Sequence, residues 1–254
     1  MNGNVWKCDS RREKYKQGPR KIGKSKLPPI KSISAASRFS LFLDHEGNVW
    51  SQGRSKQGCL GFEDTLFQRC PTKIPNLCNI VEISSSDNCS MFLDGDGTVW
   101  ACGDDHYYVY VNLQSNRPCK IKGLPPIRAI SVGYRHWLFL DEKGRVWGLG
   151  LNKFRVFGSV RNSHDKRVVY IQKPILVTGL GEIVAIEAGT HASLYIDSMG
   201  CVWATGSNFC SKLKEILIEN KPPRYMSIRK PAKLDYPQIL IQQSPNLKSA
   251  RNAY

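Results

Sequence analysis

The chain has 254 residues, 41% of them hydrophobic and 23% charged, a composition that excludes full-length disorder and collagen-like structure. Its net charge of +16 favours neutral or acidic partner surfaces over basic ones. No run reaches the roughly 20 apolar residues of a membrane span, so no membrane partner is expected. Met1 to Lys7 has no apolar signal core, so the expected location is intracellular, cytoplasmic or nuclear, and not secreted.

The tetrapeptide Gly-x-Val-Trp opens the chain at Gly3 to Trp6 and recurs at Gly47 to Trp50, Gly97 to Trp100, Gly144 to Trp147 and Gly200 to Trp203. Steps between these tryptophans are 44, 50, 47 and 56 residues, one period with loop insertions, and a period of this size signals a repeat architecture. After the first copy comes the most basic stretch. Lys7 to Lys31 holds ten basic residues against two acidic ones, half of the net charge. Lys7, Arg11, Arg12, Lys14, Lys16, Arg20, Lys21, Lys24 and Lys26 form the candidate partner-binding patch. One reading is phosphate-backbone or acidic-surface binding without base-specific readout; the other is a solvated loop that keeps the protein soluble. A smaller basic cluster runs from Lys212 to Lys233.

Four units follow, near residues 30–79, 80–126, 127–182 and 183–237, with half units at both ends of a domain over 1–244 and a polar tail over 245–254. Each unit starts with an Ile-x-x-Ile strand, such as Ile30-Lys-Ser-Ile or Ile127-Arg-Ala-Ile. A continuous apolar strand follows, such as Leu41-Phe-Leu or Leu138-Phe-Leu, then an Asp-x-x-Gly turn and the Val-Trp strand. Short β-rich runs joined by Asp and Gly predict hairpins, with Gly47, Gly97, Gly144 and Gly200 supplying a positive φ. Asp44, Asp94, Asp141 and Asp197 recur at one turn position, which points to Asx turns and not to metal ligation. Pro-led segments at Pro71, Pro118 and Pro174, with looser copies at Pro19 and Pro231, predict a fourth strand that starts with proline at an exposed edge. Trp6, Trp50, Trp100, Trp147 and Trp203 read as equivalent packing residues of the sheets. Trp137 stands outside that register and is expected to be partly exposed.

Catalytic signatures are absent. The chain has no phosphate-binding Gly-rich loop, zincin motif, nucleophile elbow or Cys-x-x-Cys pair. Its nine cysteines are spaced too widely for a zinc knuckle and read as small apolar fillers. No catalytic, metal-binding or cofactor-binding residue is expected, and no cofactor.

The pattern apolar-Ser-x-Gly-x-x-His-x-apolar, then Asp-x-x-Gly-x-Val-Trp-x-x-Gly, then Gly-x-Leu-Gly, resembles the regulator of chromosome condensation repeat. Ile130 to Gly150 is its fullest copy, Gly58-Cys59-Leu60-Gly61 is similar to the last element, and Phe157-Gly158 is a decayed one. The resemblance implies an all-β fold, a β-propeller or open arc of about four to five four-stranded blades, in a short and degenerate member. The family glycine stands at Gly133 and Gly189 but is Ala36 and Ser86 elsewhere, and the family histidine survives only at His136, which reads as a hydrogen-bonded turn residue. Relatives usually have seven blades, so a closed five-bladed ring, an open arc and an arc completed by another chain all remain open. The resemblance implies protein partners, a Ran-like small GTPase or histones among them, with nucleic-acid backbone also a candidate. The expected function is a non-enzymatic interaction scaffold; the alternative is a guanine-nucleotide exchange factor. Exchange in the family relies on a wedge and a complete ring face, and Arg161 to Tyr170 and Asn208 to Arg229 hold no wedge-like hairpin pattern.

Overall fold

The computed structural model describes residues 5–7, 20–22, 27–55, 58–63, 65–87, 89–103, 115–160, 169–207 and 227–234. Most of the basic run from Lys7 to Lys26, residues 161–168 and 208–226 of the long interblade segments and the residues after Leu234 lie outside them. Eighteen strands are described. The first two, β1 (Trp6–Lys7) and β2 (Arg20–Lys21), form an antiparallel pair with Trp6 opposite Lys21.

Four sheets of four antiparallel strands follow, each in simple sequence order. The first contains β3 (Ile30–Ala35), β4 (Phe39–Asp44), β5 (Val49–Arg54) and β6 (Phe67–Lys73). The second contains β7 (Ile80–Ser85), β8 (Cys89–Asp94), β9 (Val99–Gly103) and β10 (Ser115–Lys120). The third has β11 (Ile127–Val132), β12 (His136–Asp141), β13 (Val146–Leu151) and β14 (Tyr170–Leu176). The fourth has β15 (Ile183–Ala188), β16 (Ala192–Asp197), β17 (Val202–Ser207) and β18 (Ser227–Leu234). Among the described residues no helix is long and apolar enough to cross a membrane.

Inner strands pack side by side from sheet to sheet, β3 on β7, β7 on β11 and β11 on β15, which makes each sheet a propeller blade. The second strand of each blade is apolar without alternation because a neighbouring blade covers each of its faces. Leu41, Phe42 and Leu43 are buried, as are Met91, Phe92 and Leu93, and Leu138, Phe139 and Leu140. Ile83 joins the cluster of Phe39 and Leu41 from the blade before it, and Ile130 joins that of Cys89 and Met91. In the first and fourth of these sheets this cover is thinner among the described residues. Ile33 is 59% exposed against 7% for Ile83 and 4% for Ile130. Leu194 and Ile196 in the last blade are half-buried where their equivalents are buried.

Two sequence expectations need correction. Trp137 is buried, at 4% exposure, because it lies opposite Val132 and Leu149 in the middle of its sheet. The prolines do not start the outer strands. Pro71, Pro118, Pro174 and Pro231 sit inside β6, β10, β14 and β18, each where the pairing register shifts. A bulge on an edge strand leaves a residue without a ladder bond, so the missing proline N–H costs nothing there.

Candidate interaction face

Each second strand turns into the third through the same device. Asp44 Oδ1 accepts the backbone N–H of Glu46 and Asn48, and Oδ2 accepts the Trp50 indole N–H at 3.0 Å. Asp94 and Trp100, Asp141 and Trp147, and Asp197 and Trp203 repeat the bond at 2.9, 3.0 and 2.8 Å. Gly47, Gly97, Gly144 and Gly200 close these turns with φ between 71° and 81°, a region that only glycine enters without steric cost. Trp50, Trp100, Trp147 and Trp203 are thus half-buried and tethered alike, whereas Trp6, on the two-stranded pair, is 61% exposed.

The connection from third to fourth strand reaches into the next blade. Cys59 O, in the Gly-Cys-Leu-Gly element, accepts the Ser90 hydroxyl at 2.6 Å. In the decayed copy Val156 O accepts the Tyr195 hydroxyl at 3.1 Å, and burial pushes that phenol up to about 12.

Around the axis, polar groups join one inner strand to the next. Ser34 and Ser85 share a hydroxyl bond of 2.7 Å. Ile130 N donates to Glu82 Oε2 and Val132 N to Ser84 Oγ, both at 3.1 Å. Ala188 N donates to Ser131 Oγ at 2.9 Å. Burial raises the Glu82 carboxyl to about 7; Glu187 across the axis adds to this, and the Ile130 N–H opposes it. Burial also raises the Glu187 carboxyl. His136, the first residue of β12, bonds Ser193 Oγ through Nε2 at 3.0 Å. Its burial, with His191 nearby, lowers its pKa to about 3, so the imidazole is neutral. Gly133 lets the third blade meet the fourth: a Cβ there would lie 2.5 Å from Gly189 O.

The loops between first and second strands of all four blades converge on one face. Ala35 to Ser37, Ser85 to Asp87, Val132 to Tyr134 and Ala188 to Thr190 ring an axial depression of about 320 Å³. A second, smaller depression of about 160 Å³ lies beside it between the third and fourth blades. Glu82, Glu187 and the walls of this second depression escaped the sequence reading. The signal available for Glu82 and Glu187 was departure from the repeat, since they stand where other units carry Ser or Ala.

Of the predicted basic patch, Lys7 lies in β1 and Arg20 and Lys21 in β2. Arg11, Arg12, Lys14, Lys16, Lys24 and Lys26 fall outside the described residues. Among the described residues no cluster of His, Cys, Asp or Glu is arranged to hold a metal ion.

Residues 46–93 match the family model described as "Regulator of chromosome condensation (RCC1) repeat". No curated protein matches the chain in sequence. Among solved structures the fold is similar to yeast RCC1 (Prp20) bound to Kap60, with a TM-score of 0.74 and 20% identity over 92% of this chain and 57% of that one. It is similar to Prp20p from Saccharomyces cerevisiae, described with its binding properties to Gsp1p and histones, at 0.73 and 20% over 92% and 60%. It is also similar to human WBSCR16, at 0.71 and 19% over 87% and 56%. The chain thus spans less than two thirds of the length of each. Residues 46–93 thus match one regulator of chromosome condensation repeat, and the recurring Asp and Trp turn and the blade architecture give the chain a fold similar to that of these propellers.

Proposed function

We propose that the protein is a non-enzymatic interaction scaffold that binds acidic macromolecular surfaces, nucleic-acid backbone among them, through loops at the rim of its blades. The observation that carries this reading is where the buried polar groups go. His136, Glu82, Ser131, Tyr195 and Ser90 each bond a group of a neighbouring blade, so the chemistry inside the fold joins blades together. The net charge of +16 supplies the attraction, and an affinity built on it falls with salt in proportion to the phosphates neutralised. Fluorescence-anisotropy titration with a labelled duplex of arbitrary sequence and with an acidic polypeptide, over a salt series, tests the proposal. Steep, sequence-independent salt dependence is expected; lack of binding to both at low salt contradicts it.

The second reading is nucleotide exchange on a small GTPase, favoured by the likeness to Prp20p, whose structure is described with its binding to Gsp1p. Protein partners in general fit both readings.

A further inference from the structure

We propose that the depression between the third and fourth blades is a binding site for a phosphoryl group. This goes beyond the scaffold reading and does not depend on it. The depression is lined by Arg135, Lys153 and His191 among polar, aromatic and apolar neighbours, and among the described residues no carboxylate contributes to its wall. Three elements bring these basic residues together. Arg135 comes from the loop before β12, Lys153 from the turn after β13 and His191 from the loop before β16.

The backbones of Arg135 and His191 are bonded to the neighbouring strands. Leu151 N donates to Arg135 O at 2.8 Å, and Ser207 N donates to His191 O at 2.8 Å. The side chains are braced by rings: the Arg135 guanidinium lies 5.0 Å from the Tyr134 ring centre and the Lys153 ammonium 5.9 Å from that of Phe154. Phe154 in turn meets His191 edge-on at 4.2 Å. Cations held over aromatic faces beside a shared concavity form a preorganised anion site. Arginine's planar fork suits the oxygens of a phosphoryl group, which accepts two parallel bonds from it. At about 160 Å³ the space admits such a group with its ester oxygen, while the rest of the ligand stays outside. Arg135 and His191 already interact, since the guanidinium adds to burial in lowering the His191 pKa. An anion placed between them offsets the guanidinium charge and favours the protonated imidazole, which adds a donor.

The test is ¹⁵N-resolved NMR titration of the full chain with inorganic phosphate, then with a phosphoserine peptide and the same peptide carrying glutamate. Expected are saturable shifts confined to residues 134–136, 151–156 and 190–191, with a dissociation constant for phosphate on the order of 1 mM. Arg135→Gln and Lys153→Gln should each weaken binding by roughly tenfold, the equivalent of about 1.4 kcal/mol, with an unchanged melting temperature. Tighter binding of the phosphopeptide than of free phosphate identifies a phosphorylated protein segment as the source, and the reverse order identifies a small phosphate ester. Phosphate shifts that are absent or unsaturable, that spread over other basic surfaces, or that survive both substitutions overturn the proposal. Equal binding of the glutamate and phosphoserine peptides overturns the choice of a phosphoryl group.

Discussion

The Asp141 carboxylate and the Trp147 indole, six residues apart, meet at 3.0 Å across the turn between β12 and β13. The same carboxylate accepts the backbone N–H of Lys143 and Arg145 and the Arg145 side chain. Burial acts to raise its pKa, but the bonds from Trp147 and Arg145 and the Lys143 N–H outweigh it and hold Asp141 below the ordinary aspartate value of 3.8. Asp44 is lowered in the same balance of burial against bonds from Trp50, Asn48 and Glu46.

A carboxylate whose folded pKa is depressed adds stability that is present above its unfolded pKa and lost as pH falls through the folded one. Thermal melts should therefore show stability falling below about pH 4. Asp141→Asn, which keeps the shape and loses the charge, should flatten that acid limb and cost on the order of 1–3 kcal/mol at pH 7. An unchanged melting curve at both pH values contradicts the role assigned to this turn.

Glu82 has the opposite sign. Its folded pKa is raised to about 7 from 4.5, so the folded state holds a proton that the unfolded chain releases. Its contribution to stability is fully present below pH 4.5 and declines as pH rises towards 7. Glu82→Gln keeps an acceptor for the Ile130 N–H and should raise stability at pH 8 by on the order of 1 kcal/mol or more, with no gain at pH 4. Denaturant titrations at the two pH values check this; equal effects at both contradict it.

His136 gives a third pH signature. A histidine whose folded pKa is lowered to about 3 leaves the unfolded state to take up the proton first, so it erodes stability as pH falls from its ordinary value of 6.5 towards 3. Long-range ¹H–¹⁵N spectra should show its ring neutral and untitrated at pH 5. A midpoint near 6.5 contradicts the buried bond to Ser193.

Gly133→Ala should cost about 1–3 kcal/mol, because the new Cβ meets Gly189 O at 2.5 Å and His136 Cε1 at 2.9 Å. Gly181→Ala, which meets nothing within 4 Å, is the control expected to be near neutral. Equal costs would show that the blade contact at Gly133 is not tight.

The blade architecture was legible in the sequence because it is written five times. Gly-x-Val-Trp marks every third strand, and Asp44, Asp94, Asp141 and Asp197 mark the turns before four of them. That the carboxylate also receives the indole N–H was not legible, since a spacing of six within a hairpin says nothing about side-chain direction until the register is known. Proline bulges were misplaced because the composition of an outer strand does not show where it begins pairing. Glu82, Arg135, Lys153 and His191 were passed over because repeats direct attention to what recurs, and these residues differ from unit to unit. Their meeting depends on contacts between residues 18 to 56 apart, which local pattern does not encode.

The function proposed for this protein is to hold partners rather than to promote nucleotide exchange on them. Release of a fluorescent guanine nucleotide from Ran-type and other small GTPases, with the protein at increasing concentration up to excess, measures this most directly. The predicted result is a release rate that stays at its intrinsic value while the protein still binds acidic partners under the same conditions. A rate that climbs with protein concentration contradicts the scaffold reading and establishes exchange.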